Sequence, residues 1–181
     1  MKNANAPADA LGMGDIPQTP LGAGPELDHD LLTGLPNARA WSHLVAEHRR
    51  RHPDRSWLAV VRVDDFAAFA STSGGAAADL LLVDAAAAWG AALRGGDVIA
   101  RLDGADFGCL VRATELMSAF AVVARLRAGL PAGHTLSAAI VHPDAHEAPL
   151  AVTARARDAL GHAGARGVNR VAVLLPEAEA A

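Results

Sequence analysis

DVIARLDGADFGCLVR, residues 97–112, sets two apolar runs around Asp103-Gly104-Ala105. An Asp-Gly pair between two such runs is the strongest short-range hairpin signal a sequence offers, so DVIARL and DFGCLVR read as paired strands. Two acids, Asp103 and Asp106, flank the turn glycine, so the hairpin either presents carboxylates for chemistry or simply reverses the chain.

Working outward, the hairpin is preceded by GAAADLLLVDAAAAWGAAL, an Ala- and Leu-rich helix from 75 to 93 that Arg94-Gly95-Gly96 would end. Before it lies WLAVVRV, a continuous apolar run with β-branched residues that closes in Asp64-Asp65, as a buried central strand would. A first helix is expected from the N-cap Asn37 to about Arg51, where Pro53 stops it. Downstream, Thr114 is positioned to cap a helix running to about Leu130. HTLSAAIVH then reads as a strand, 150–163 as a helix and NRVAVLL as a closing strand. Helix, strand, helix, hairpin, helix, strand, helix, strand implies an α+β sandwich: a central, mostly antiparallel mixed sheet flanked by helices.

The chain has 181 residues, 51% of them hydrophobic, enough for one sizeable core. Residues 1–27 are rich in Ala, Gly and Pro without a sustained period and read as a flexible leader; 28–176 form the domain and 177–181 a tail. A net charge of −4 is not that of a non-specific nucleic-acid or membrane binder, so neither is an expected partner. Cys109 is the single cysteine, which excludes a disulfide framework, and the N-terminus lacks a signal-type apolar region; a cytoplasmic protein is expected. Lys2 is the only lysine; arginine supplies the other basic side chains. His142 and His146 in HPDAH would share a metal only on a helix, and Pro143 makes that segment a loop.

Four stretches then fall into one pattern: DLLTGLPNARAW at 30–41, VRVDDFAAFASTSG at 61–74, LRGGDVIARLDGADF at 93–107 and ARGVNRV at 165–171. Together they resemble the GGDEF domain, the fold of the diguanylate cyclases that join two GTP molecules into cyclic di-GMP. The resemblance implies a site in which two divalent cations, held by carboxylates, activate a 3′-hydroxyl. Here it departs from the family pattern. The metal-binding Asp at the end of the first strand aligns with Arg62, leaving Asp64 as the second acid of that segment. In the signature turn the first glycine is Asp103, the metal-binding acid is Ala105 and the last acid is shortened to Asp106, while Gly104 and Phe107 are kept. The guanine-reading asparagine aligns with Ala70, two family lysines with Ala67 and Gly164, and the partner aspartate with Asp79. A shifted-register rescue, with Asp64, Asp103 and Asp106 rebuilding a carboxylate cluster, requires a bulge. On this reading no cofactor is expected, and Mg²⁺ would be needed only by residual cyclase activity.

The resemblance also implies a second site. Arg94-Gly95-Gly96-Asp97 matches the family's RxxD motif, where cyclic di-GMP binds away from the catalytic centre, and Arg125 aligns with an arginine that assists it in some relatives. The alternative is ordinary: Arg94 as a helix-end cation, Asp97 as a turn acid, Arg125 as a surface arginine. Three functions follow from these alternatives: a degenerate GGDEF protein binding cyclic di-GMP as an effector, an interaction module that binds no nucleotide, and a residual cyclase. Ligand bound as a stacked pair would imply a homodimer or a protein partner.

Overall fold

The computed structural model describes residues 28–53, 55–144 and 146–175. The expected leader (1–27), the expected tail (177–181) and the last position of the expected domain, 176, lie outside the described residues.

The described residues build a five-stranded sheet from β1 (Trp57–Val63), β2 (Val98–Asp103), β3 (Asp106–Val111), β4 (Leu136–Val141) and β5 (Val171–Leu174) in the order β2-β3-β1-β4-β5. Every pairing is antiparallel except β4 with β5, which is parallel. Among the described residues five helices accompany it: α1 (Ala38–Arg51), α2 (Phe66–Ser73), α3 (Gly75–Ala92), α4 (Leu116–Ala128) and α5 (Pro149–Gly164). This is the expected α+β sandwich with a mixed sheet.

β1 sits at the centre of the sheet, and its alternation divides the core. Trp57, Ala59, Val61 and Val63 pack with Leu82 and Trp89 of α3 and Val122 and Leu126 of α4. Leu58 and Val60 face the other way, onto Trp41 and Val45 of α1 and Val152, Ala156 and Leu160 of α5. Burying a side chain such as Leu58 or Leu126 contributes about 1.5–3 kcal/mol. On the second face Trp41 lies flat over Gly108 of β3, where a Cβ would come within 2.6 Å of its ring. The indole N–H is satisfied there by Thr153 Oγ1 at 3.0 Å.

α3 has the length and hydropathy to cross a membrane by composition alone; here its stripe of Ala78, Leu81, Leu82, Ala85, Ala86 and Trp89 is packed into the core. Asn37 caps α1 as expected, accepting from the Arg39 and Ala40 amides at 3.0 and 3.1 Å. Two details differ from expectation. A separate short helix, α2, precedes α3; none of its residues is fully buried, and only Phe66 and Phe69 pack against the core, too short an apolar pattern to mark a helix in the sequence. Thr114 does not cap α4, whose N-cap is Glu115 and which begins at Leu116.

Candidate functional site

The signature hairpin is held from outside by the opening motif. Asp30 Oδ1 accepts from the Thr33 amide (2.9 Å) and hydroxyl (2.7 Å), and both its oxygens face Arg101 Nη1 at 3.0 and 3.2 Å. Arg101 in turn donates through Nε to the Gly104 carbonyl at 3.0 Å, and its backbone N–H to Pro36 at 2.8 Å. Burial raises the Asp30 pKa, and the bonds from Thr33 and Arg101 more than offset it, holding the carboxyl below the usual range. The motif therefore acts as a bracket that fixes where the turn points.

Within the turn, Asp103 pairs with Asp106 across the hairpin, so Gly104 and Ala105 are its central residues. Gly104 has φ +48°, and Ala105 is not in the left-handed region. The glycine-first turn thus uses Gly104-Ala105, where the Asp-Gly signal alone would put Asp103-Gly104 at the centre. The Ala105 carbonyl accepts from Val63 at the end of β1 (3.2 Å), tying the turn to the strand that carries Arg62.

That strand and β3 are in the register Arg62↔Asp106, and the side chains meet. Arg62 donates Nε to Asp106 Oδ1 at 2.5 Å and Nη2 to Oδ2 at 2.8 Å, a bidentate fork. Arg157 of α5 brings its Nε within 3.5 Å of Oδ2. The Asp106 side chain is 11% exposed, so this carboxylate is enclosed between two guanidiniums. Its hydrogen bond raises the Arg62 pKa above an already high value, so the cation is permanent.

The remaining acids go elsewhere. Asp64 Oδ2 accepts from the Thr135 hydroxyl at 2.7 Å and the Asn169 amide at 2.8 Å, stitching β1 to the loop before β5. Asp103 is exposed at the hairpin tip and Asp79 is exposed on α3. β2 does carry the irregularity that a shifted register requires, between Arg101 and Asp103. Even so, among the described residues no group of three His, Cys, Asp or Glu side chains converges to hold a metal. His142 packs edge-on against Trp57, with ring centroids 4.8 Å apart, while His146 is exposed in the same loop. Cys109 is wholly buried in β3, and burial pushes its thiol pKa upward.

A second grouping lies at the other end of the hairpin. Arg94, Gly95, Asp97, Arg112, Met117 and Arg125 line a cleft of about 320 Å³ between the loop after α3 and α4. The side chain of its carboxylate, Asp97, is 8% exposed and is contacted from two sides. Oδ1 accepts from the Arg112 amide at 3.1 Å, and Oδ2 lies 3.8 Å from Arg125 Nη2. Arg125 also donates Nη1 to the Ala92 carbonyl at 3.0 Å, where a cation suits the C-terminal end of α3. Its Nε is buried without a partner among the described residues. Arg94 is exposed beside them. The three residues of the RxxD-type set therefore lie around one cleft. Arg112 joins them, and the sequence pattern did not include it; its only advance signal was its place at the end of the apolar run DFGCLVR.

The sequence matches the family model described as "Diguanylate cyclase, GGDEF domain" over residues 27–170. It is 38% identical over 157 residues to the diguanylate cyclase DgcP of Pseudomonas aeruginosa, covering 80% of this chain and 23% of DgcP. To the probable diguanylate cyclase DgcC of Escherichia coli K12 it is 30% identical over 104 residues, covering 56% of this chain and 28% of DgcC. The chain thus spans roughly a quarter of the length of these curated relatives. Among solved structures, the fold matches the diguanylate cyclase SiaD from Pseudomonas aeruginosa, determined in complex with its activator SiaC. That match has a TM-score of 0.73 and 30% identity over 81% of this chain and 61% of SiaD. It also matches the coiled coil and GGDEF domain of DgcB from Caulobacter crescentus, determined in complex with c-di-GMP. There the TM-score is 0.71 and the identity 22%, over 82% of this chain and 86% of that one, a likeness of fold.

Proposed function

The chain belongs to the GGDEF domain family, and we propose that it is a catalytically degenerate member that binds cyclic di-GMP in the Arg94–Asp97–Arg125 cleft as a non-enzymatic signalling effector. The observation that carries this reading is the cleft itself, where three separated positions of the RxxD-type pattern meet. Its chemistry suits a guanine. An arginine fork donates to O6 and N7 and stacks on a purine face, and a carboxylate accepts from the N1–H and N2–H edge. Arg94 is exposed for the first task, and Asp97 is held rigid for the second by the Arg112 amide.

The signature face supports the other half of the reading. A divalent cation needs carboxylate oxygens with lone pairs to spare. Asp106 gives both of its oxygens to Arg62, with Arg157 adjacent, and Asp64 accepts from Thr135 and Asn169 through Oδ2, which leaves a single oxygen, Oδ1, where a metal pair needs several. The Arg62 guanidinium at the end of β1 adds a fixed positive charge that opposes a dication at that spot. The residues present do not fit the metal pair of a cyclase.

Titrating the purified chain with cyclic di-GMP and, separately, with GTP plus Mg²⁺ tests the proposal. Binding of cyclic di-GMP at tens of micromolar or tighter, without conversion of GTP, is expected. Absence of cyclic di-GMP binding favours an interaction module that takes no nucleotide. Protein-dependent formation of cyclic di-GMP from GTP with Mg²⁺ or Mn²⁺ restores the cyclase reading. Should the ligand bind as a stacked pair, a second copy or an effector protein would supply the opposite surface, and the stoichiometry of the same titration reads this out.

A further inference from the structure

Two clefts meet at Arg112. The first holds Arg94, Asp97 and Arg125; the second, about 630 Å³, is walled by His52, Arg55, Thr114 and Glu115. Arg112, Ala113 and Ser118 line both. Arg112 follows the last residue of β3, and its amide is the group that fixes Asp97.

Its side chain lies against Gly96. A Cβ at Gly96 would stand 2.8 Å from Arg112 Cζ, 2.8 Å from Nε and 3.0 Å from Nη2. Near-equal distances to three atoms of one plane mean that the guanidinium lies face-on over the bare Cα of Gly96. Gly96 also has φ +100°, a conformation that an L side chain rarely adopts, so the position suits glycine twice over. No acid pairs with the Arg112 or Arg94 guanidinium among the described residues; the cleft's one carboxylate, Asp97, faces Arg125. Three arginines against one aspartate leave two net positive charges around the first cleft. A cyclic dinucleotide carries two phosphodiester charges of the opposite sign.

We propose that Arg112 is a binding residue for the phosphodiester of a cyclic purine dinucleotide whose ring lies across both clefts of a single chain. One base sits edge-on to Arg94 and Asp97, Arg112 takes the phosphate at the junction, and the rest of the macrocycle extends toward Arg55. This rests on the cyclic di-GMP reading and adds to it a residue outside the RxxD pattern. A guanidinium resting flat on glycine backbone, with no acid to compete for it among the described residues, has its donor edge open to such a contact.

The test is calorimetric titration of wild type, Arg112→Ala and Arg112→Lys with cyclic di-GMP at low and high salt. A charge-assisted contact of this kind corresponds to a change of roughly 10- to 100-fold in Kd. Arg112→Ala is expected to weaken binding by that factor and to flatten the salt dependence; Arg112→Lys should keep the salt dependence while recovering only part of the affinity. The amide that anchors Asp97 is backbone, so thermal unfolding of both variants should match wild type, separating a binding role from a structural one. If wild type binds and Arg112→Ala binds equally well with the same salt dependence, the Arg112 inference falls and the RxxD-type reading stands. If wild type does not bind, both fall.

Discussion

Replacing Asp106 by Asn separates a structural ion pair from a metal-binding carboxylate by the sign of its effect on stability. In a cation site, clustered carboxylates repel one another when the metal is absent, so neutralising one stabilises the metal-free protein. Here Asp106 is 11% exposed, bidentate to Arg62 and 3.5 Å from Arg157, so neutralising it leaves two guanidiniums facing each other. Unit charges about 4 Å apart attract by ~4 kcal/mol at an effective dielectric of 20. The Arg62 side chain is 44% exposed, and solvent screening lowers the net figure to about 2–3 kcal/mol, below the ~3–5 kcal/mol of a fully buried pair. For a domain of this size that is a fall of roughly 4–12 °C in Tm. Calorimetry or thermal unfolding by circular dichroism measures it. A double-mutant cycle with Arg62→Gln should return a coupling of about 1–3 kcal/mol. Millimolar Mg²⁺ should leave the wild-type Tm unchanged. An Asp106→Asn protein as stable as wild type or more so, together with a wild-type Tm that rises with Mg²⁺, would refute the ion-pair account of the signature turn.

Two further outcomes test the fold around the sites. Gly108→Ala places a Cβ 2.6 Å from the Trp41 ring and should cost about 1–3 kcal/mol by overpacking; an unchanged urea midpoint would mean that Trp41 does not sit over β3. Asp30 and Glu147 are both held below the usual carboxyl range: burial raises each pKa, and the bonds from Thr33 and Arg101 for Asp30, and from Arg155 for Glu147, outweigh it. A group lowered in the folded state stabilises fully above its unfolded pKa and loses that contribution as pH falls through the folded one. Stability should therefore decline below about pH 4, and that acid limb should flatten in Arg101→Ala and Arg155→Ala, whereas an identical limb in both variants would contradict the assignment.

The fold was legible where local chemistry and tertiary need agreed. WLAVVRV is apolar because β1 is covered on both faces, and Asn37 caps α1 with the side chain that its type suggests. What escaped had no local signature. FAAFASTS forms a helix that only Phe66 and Phe69 anchor, both partly buried, and Glu115 rather than Thr114 opens α4. The candidate site divides in the same way. The spacing of Arg94, Asp97 and Arg125 could be read from the sequence, and so could an arginine, Arg62, at the position where the family resemblance implies an acid. That Arg62 grips Asp106 depends on the register of two strands 44 residues apart, and Arg157 arrives from a helix later still. Arg112 was invisible for the same reason: its role comes from lying over Gly96, a contact that no linear motif encodes.

The proposed binding of cyclic di-GMP by this GGDEF domain depends on Arg94 and Asp97. Isothermal titration of cyclic di-GMP into wild type and into an Arg94→Ala, Asp97→Ala variant tests it most directly. Saturable binding by wild type and a loss of at least tenfold in the variant is the expected result; equal affinity in the two proteins, or no binding by either, would contradict it.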